Sequence, residues 1–473
     1  MFILSHFNRP VAVFILLTLC MAVSAQEGYP EIYRARRAMA IMQTGNGALL
    51  IPGTNRTPYG QADASSSKYF EYLTGWSRSG AWMIIEPGVK PGCTLFVTPP
   101  FGPQMTPERM SAMLDETKTL TGADTVCTLQ SFERMAGEIL AGYDTVWTIP
   151  VSKLINEKTG ALFSGEKRPV VKDIRKILNE LRVVKDTFEI RLLTRAAEVT
   201  AEAQRRAMML AAPGRWEYEL EAAIEHTYRS LGCDGPGFST IIGSGPNSTI
   251  LHYDINERRL EEGDVIVMDI GAAYKGYTAD VTRTIPASGR FTPEQLEIYN
   301  IVLEAEKEAI KEMVPGNRSL SAHDRATEII MEGLHELGLV TDTASHWQKS
   351  LYILYTCTHH IGLDVHDTYP FQLTPLDEAT FKPGMVITIE PGIYISKGML
   401  DALTYQYKGK PEEEEVKAFV SQVGPLIKKY ENTGVRIEDD ILITAGGNIN
   451  LSEAAPKEPK DIMRLMKKRS SYD

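Results

Sequence analysis

Two aspartates in one apolar segment are the first residues whose setting demands chemistry. In VIVMDIG (265–271) both alternating faces are apolar. Asp269 is therefore expected in a largely buried strand, where an unpaired carboxylate is expensive and tends to protonate unless a cation accompanies it. The chain then turns back through Tyr274-Lys275-Gly276-Tyr277, and a hairpin centred between residues 274 and 275 pairs Asp269 with Asp280. Opposed residues of a hairpin hold their Cβ atoms about 4.5–5.5 Å apart, where two carboxylates repel unless something positive lies between them. Lys275 is at the wrong end of the hairpin to serve, so a divalent metal is the economical partner.

Three further potential ligands follow: His359, Glu390 in ITIEPG and Glu438 in GVRIEDD, the last two again carboxylates on apolar strands. Four carboxylates balance the charge of two divalent cations, the compensation that buried charges require. Oxygen-rich ligands with a single imidazole suit Mn2+ better than a structural zinc, with Zn2+, Co2+ and Fe2+ as further candidates. Spacing alone does not choose between His359 and His360, or among Glu438, Asp439 and Asp440.

These residues need a scaffold, and the hydrophobic pattern supplies two. From about Glu27 to Val184, GALLIP, AWMIIEP, TLFVTPP and DTVWTIP read as strands ending in Pro or Gly, alternating with helical stretches in an α/β pattern. The aromatic run YFEYLTGW (69–76) suits that domain's core, and the region carries no histidine, nucleophile signature or Gly-rich phosphate loop. A long helix is expected from Asp186 to the Pro213-Gly214-Arg215 stop, with the domain boundary just before it. A helix over 217–231 and a strand-rich block over 238–286 follow. The order then repeats, with helices over 293–313 and 322–337 and a second strand-rich block over 351–444. Within the repeat, Gly263-Asp-Val-Ile-Val-Met-Asp269 echoes Gly384-Met-Val-Ile-Thr-Ile-Glu390, a carboxylate six residues after a glycine in each. A histidine precedes each echo, His252 in LHYD and His366 in DVHD.

The chain of 473 residues is 43% hydrophobic and carries 50 Lys+Arg against 61 Asp+Glu, a net charge of −11. Such a chain buries real cores, and with no dense basic run beyond a short C-terminal KKR it is not expected to take nucleic acid as a main partner. Residues 1–25 read as a cleaved signal peptide: Arg9, an uncharged apolar stretch over 11–23, then small residues before Gln26. Leu19 is too bulky before Cys20 for a lipoprotein site, and no segment reaches the roughly 20 apolar residues of a membrane span. The mature protein is expected to be exported, periplasmic or secreted. Cys93, Cys127, Cys233 and Cys357 form no CxxC pair and read as buried small apolar groups.

The ordered motifs ILHY, VMDIGAAYKGYTADVTRT, HHIGLDVHD, ITIEPGIYI and GVRIEDD closely resemble the aminopeptidase P (Xaa-Pro aminopeptidase) and prolidase branch of the pita-bread metallopeptidases, over residues 185 to 465. YFEYLTG resembles the creatinase-like N-terminal domain of the same proteins. The resemblance implies an α/β (α+β) chain: a signal peptide (1–25), a creatinase-like α/β domain (26–184) and a pita-bread catalytic domain (185–473) with an internal pseudo-two-fold repeat. It implies Asp269, Asp280, His359, Glu390 and Glu438 as ligands of two metal ions, Asp280 and Glu438 bridging. It further implies His252 and His366 near the scissile peptide, Glu390 as proton shuttle, and Arg436 as support for the bridging carboxylates. Peptides with proline in second position are the implied substrates, and a homo-oligomer the implied assembly.

Three features depart from the family pattern. Tyr355 stands where close relatives carry a histidine four residues before the metal histidine, and His360 where they commonly carry Trp. The segment 396–433 is long and holds an acidic run, Pro411 to Glu415, that reads as a solvated helix start; because both flanks enter the metal site, the segment is also a candidate for narrowing substrate access. Prolidase, acting only on Xaa-Pro dipeptides, is the nearest alternative. Methionine aminopeptidase needs no large N-terminal domain. A ligand-free binding module and metal-free creatinase both predict gaps among the five ligands, and the sequence has none.

Overall fold

The computed structural model describes residues 29–53, 64–90, 92–100, 105–149, 168–368 and 378–468, so the signal-peptide reading falls outside the described residues. The chain divides into two compact units, one ending at Arg182 with Asp186–Phe188 added, the other comprising Val183–Lys185 and everything from Glu189.

In the first unit, the strands β1 (Ala48–Pro52), β2 (Ala81–Ile85), β3 (Cys93–Val97), β4 (Thr125–Thr128), β5 (Thr145–Thr148) and β6 (Val170–Asp173) form one mixed sheet in the order β4-β3-β2-β1-β5-β6. The four apolar runs legible in the sequence are β1, β2, β3 and β5. The two edge strands, β4 and β6, were not legible. Their residues are all half-buried or exposed and half of them are polar, so the burial that marks a strand is missing. Following α1 (Tyr29–Thr44), YFEYLTGW lies at the end of α2 (Ala64–Thr74), where Phe70, Tyr72 and Leu73 are buried. Arg36 of α1 lies over the Tyr72 ring at 4.2 Å. Helices α3 (Pro107–Thr121), α4 (Phe132–Leu140) and α5 (Arg175–Val183) complete the unit.

The second unit opens with α6 (Thr187–Leu210) and α7 (Glu217–Ser230), near the bounds that periodicity gave. Strands β7 (Gly235–Pro236), β8 (Ile241–Ser244), β9 (Val265–Ile270), β10 (Ala272–Tyr274), β11 (Tyr277–Thr278) and β12 (Val281–Pro286) precede α8 (Pro293–Glu312), α9 (Ser321–Glu336) and α10 (His346–Tyr352). The second half holds β13 (Val386–Ile389), β14 (Gly392–Ile395), α11 (Met399–Tyr407), α12 (Glu413–Ile427), β15 (Thr433–Arg436), β16 (Asp439–Thr444), β17 (Gly447–Asn450) and α13 (Pro459–Met466). The long segment between the glutamates is thus the helical pair α11–α12. Val416, Phe419, Val423 and Ile427 of α12 are buried in the main core, while Glu413, Glu414 and Glu415 occupy its first turn, where the helix dipole favours them.

One expectation is corrected. The hairpin turns at Lys275-Gly276, both at positive φ (50° and 82°), with Tyr274 paired to Tyr277. A two-residue turn of that kind seats glycine at its second position, which moves the centre one residue along and pairs Asp269 with Thr282, not Asp280. Asp280 is then the diagonal neighbour of Asp269 on the same face, farther away than an opposed pair.

The two hairpins are built alike. Gly263 and Gly384 both lie at φ 89° in the turns that launch β9 and β13. In each hairpin one register runs the full length but the ladder breaks midway: between β9–β12 and β10–β11 at Gly271 and Ala279-Asp280, and between β13–β16 and β14–β15 at Glu390-Pro391 and Ile437-Glu438. Helix α6 serves the first break, Gln204 donating to the carbonyls of Met268 and Val281 (2.9 and 2.8 Å) and Thr200 accepting from the amide of Ala272 (2.9 Å).

At that break the chains approach too closely for a side chain. A Cβ on Gly271 meets the Ala279 carbonyl oxygen at 1.9 Å, whereas one on Gly137 in α4 meets nothing within 4 Å. Gly271→Ala is therefore expected to destabilise by about 2–3 kcal/mol, and Gly137→Ala to stabilise by about 0.5–1 kcal/mol. Urea unfolding of both variants checks this, and equal midpoints would refute the close approach.

Candidate metal centre

Strand alternation settles which members of the ambiguous runs face inward. The segment 357–361 runs along β13, with the amides of Glu390, Thr388 and Ile361 bonded to the carbonyls of Cys357, His359 and Val386, respectively (2.9, 2.8 and 3.2 Å). His359 and His360 therefore point to opposite faces. His359 Nε2 lies 3.6 Å from Asp280 Oδ2, 3.5 Å from Glu390 Oε1 and 3.8 Å from Glu438 Oε1. His360 is buried on the other side, bridged to Ile387. In the same way Asp439 points away from Glu438, toward Arg283 and Lys457 at 2.6 Å each. Asp440 returns to the Glu438 face but accepts the amide of Asp280 at 3.2 Å.

Ligand atoms of Asp280, His359 and Glu438 lie within 4.8 Å of one another, the only such group of three or more among the described residues. The register that pairs Ile389 with Asp439 and Gly392 with Arg436 sets Glu390 opposite Glu438. Asp269 joins from β9, ion-paired to the Arg436 guanidinium, whose Nε lies 4.0 Å from Glu390 Oε2. The direct carboxylate partner of Arg436 is thus Asp269. It reaches Glu438 only through Thr282, whose hydroxyl lies 3.1 Å from Arg436 Nε and donates to Glu438 Oε2 at 2.7 Å.

The donor set fits a cation. Asp269 Oδ1, Asp280 Oδ1 and Glu438 Oε1 are buried with no hydrogen-bond partner, and the 3.5–3.8 Å separations around His359 Nε2 are too long for hydrogen bonds yet short enough to share an ion. The other imidazole nitrogen, Nδ1, lies 3.2 Å from the His360 carbonyl, which fixes the tautomer that leaves Nε2 free to ligate. Burial holds the His359 pKa down to about 4, keeping it a neutral ligand. Burial first, then neighbouring carboxylates, pushes Asp280 and Glu438 well above the carboxylate range; burial also carries Glu390 up to about 8, against the pull of Arg436.

His252 and His366 are exposed. The His366 ring meets that of His359 edge-on, centroids 4.5 Å apart. Burial, followed by the charge of His252, lowers the His366 pKa. The loop between His359 and His366 is pinned by a buried ion pair, Lys185 Nζ to Asp367 Oδ2 at 3.0 Å. Tyr355, the departure from the family pattern, donates its hydroxyl to the Glu390 carbonyl (3.0 Å) and lies 2.8 Å from the Tyr394 hydroxyl, which accepts from Arg436 at 2.8 Å. Thr282 and Tyr394 escaped the sequence reading; for Thr282 the signal was present, two residues from Asp280 on one strand face.

With this geometry in view, the model of metallopeptidase family M24 matches residues 191–445. The chain belongs to metallopeptidase family M24. The aminopeptidase P N-terminal domain matches residues 33–147, within the first unit, so the chain has the two-domain aminopeptidase P fold with an M24 pita-bread unit. It is 30% identical to the Xaa-Pro aminopeptidase of Escherichia coli K12 over 92% of this chain and 97% of that one, and 31% identical to that of Haemophilus influenzae over 94% and 98%. Among solved structures, aminopeptidase PepP of Pseudomonas aeruginosa matches with TM-score 0.80 at 28% identity, covering 94% of this chain and 99% of that one. Zn-substituted E. coli aminopeptidase P with product matches with TM-score 0.79 at 29% identity, covering 94% and 100%. As an M24 chain the protein is a hydrolase of the metallopeptidase class, for which the family implies divalent metals.

The raised carboxylates give a pH test. Without cation, native Glu390 holds its proton up to about 8 while the unfolded group ionises near 4.5, so the native state binds more protons between those values and stability falls as pH rises. The melting temperature of chelated protein is expected to drop from pH 5 to pH 8.5, and the gain on adding Mn2+ to grow over the same range. A gain that does not vary with pH overturns this account.

Proposed function

We propose that the protein is an exported Xaa-Pro aminopeptidase that releases the N-terminal residue from peptides with proline in second position, using two divalent cations, Mn2+ first among them. The observation that carries this reading is the convergence of Asp269, Asp280, His359, Glu390 and Glu438, with three buried carboxylate oxygens lacking hydrogen bonds, in a chain whose relatives named Xaa-Pro aminopeptidase match it over nearly its whole length. Export rests on the leader-like residues 1–25.

Divalent cations in such a site lower the pKa of water toward neutrality and polarise a carbonyl. Asp269, Asp280, His359, Glu390 and Glu438 would hold them. Arg436 fixes Asp269 in place and offsets part of the negative charge of the cluster. His252 and His366, both exposed, donate hydrogen bonds to the carbonyl oxygen as it gains negative charge. Glu390 takes the proton of the attacking water and delivers it to the leaving nitrogen. The free α-amine of the substrate sits beside Asp269, which accounts for removal of one residue at a time.

Dialysis against chelator is expected to abolish Xaa-Pro-peptide cleavage and Mn2+ add-back to restore it, while Asp280→Asn loses at least about 100-fold in kcat. Activity that survives both treatments sinks the proposal. Rapid cleavage of Xaa-Pro-Pro-Yaa peptides separates it from a strict Xaa-Pro dipeptidase.

A further inference from the structure

The face of β12 and β16 turned away from the metal centre carries a second charge cluster, in which Arg283, Asp439 and Glu306 are buried and Lys457 is partly exposed. Arg283 is wholly buried and every N–H of its guanidinium is used. One Nη1 donates to the carbonyls of both Thr282 (2.8 Å) and Glu438 (2.6 Å). Nη2 donates to Asp439 Oδ1 (2.6 Å) and the Ala455 carbonyl (3.0 Å), and Nε to the same carbonyl at 3.3 Å. Asp439 is equally saturated. Its Oδ1 also accepts from Ser452 Oγ (2.6 Å), and its Oδ2 from Asn450 Nδ2 (2.8 Å) and Lys457 Nζ (2.6 Å). Lys457 reaches on to Glu306 of α8 at 2.6 Å.

The junction held by Arg283 is where the two ligand-bearing hairpins meet. The Glu438 amide donates to the Thr282 carbonyl (3.0 Å), and the Thr282 hydroxyl holds Glu438 Oε2, so the direction of the free oxygen Oε1 depends on the registration of Thr282 against Glu438. Asp280 lies two residues before Thr282 on the same strand face. We infer that Arg283, clamped by Asp439 and by the segment 450–457 behind β17, is a positioning residue that sets the spacing of the carboxylates Asp280 and Glu438 and with it the affinity for the metal pair. The inference rests on the proposed metal site and goes beyond it, because Arg283 touches neither the ligand carboxylates nor the substrate space.

Lysine keeps the charge at position 283 but is a single point donor that cannot hold two carbonyls, a carboxylate and Ala455 at once. Calorimetric titration of chelated Arg283→Lys with Mn2+ is expected to show affinity weakened at least tenfold, and assays at saturating Mn2+ a kcat lowered about tenfold with KM within twofold. A purely structural arginine lowers the melting temperature but leaves Mn2+ affinity and kcat of the folded fraction unchanged, and that result overturns the inference. If Arg283→Lys does not fold, Ser452→Ala, which removes one donor to Asp439, decides by the same titration: affinity weakened at least threefold supports the clamp, wild-type affinity overturns it. Wild-type protein that binds no Mn2+ instead overturns the metal reading itself, which keeps the two failures apart.

Discussion

Carboxylates brought together inside apolar β-structure must find positive charge, and the catalytic unit is arranged around that requirement. Among the described residues a single protein cation, Arg436, is ion-paired into the cluster of four acids, and it is spent mainly on Asp269. The remaining acids sit at or beside the breaks in two hairpin ladders. There the amides of Asp280 and Glu438 bond outside their own hairpins, Asp280 to the Asp440 carboxylate and Glu438 to the Thr282 carbonyl, while Glu390 continues the pairing of β13 with 357–361 by donating to the Cys357 carbonyl. Neither the Asp280 nor the Glu438 amide is left unpaired by the break, and each substitute bond ties one strand to another. The break that aims the ligands thus also stitches the two halves of the repeat together.

Among the buried acids of this unit two kinds stand out, those whose charge hydrogen bonds meet on both oxygens and those left with an oxygen that no donor reaches. Asp439 has donors on both oxygens, and Glu217 accepts from Ser244, Asn247, Tyr253 and Arg258. Their charge is met by the protein, and they are architectural. Asp269, Asp280 and Glu438 each retain a buried oxygen with no donor, as does Asp440 on the same strand face as Glu438; Glu306, ion-paired to Lys457, also keeps one. Leaving such an oxygen unmet costs on the order of 1–3 kcal/mol or more, so a fold that keeps three of them in one place is built for a cation that supplies the missing contacts. Strand alternation puts the two kinds back to back, Glu438 facing inward and Asp439 outward, so the ionic network around Arg283 lies directly behind the metal centre.

The departure at Tyr355 changes local wiring rather than leaving a gap. Its hydroxyl is committed to the Glu390 carbonyl and to Tyr394, which in turn takes a bond from Arg436. Two phenols and a guanidinium thereby connect the backbone of one ligand, Glu390, to the side chain of another, Asp269. The long segment between the glutamates is likewise absorbed into the architecture. Its helix α12 buries an apolar face in the main core, and Glu415 of its acidic run accepts from Trp347 Nε1 at 3.1 Å.

Much of this was legible in the chain itself, because burial writes itself into local pattern. The apolar strands, the long helices, the matching glycines of the two hairpins and the acids at strand ends all follow from spacing and residue type. The edge strands β4 and β6 were not, since a strand that buries little carries little signal. The hairpin register was misjudged by one turn position, because pattern alone does not say which two residues take positive φ. Nor did composition distinguish His359 from His360, or Glu438 from Asp439 and Asp440. Those choices were made by pairing: only when 357–361 lies along β13 and β16 takes its register does one member of each run face the other ligands. The Arg283 clamp belongs wholly to tertiary structure, for its partners at 438, 439 and 455 are brought to it by folding across more than 150 residues of chain.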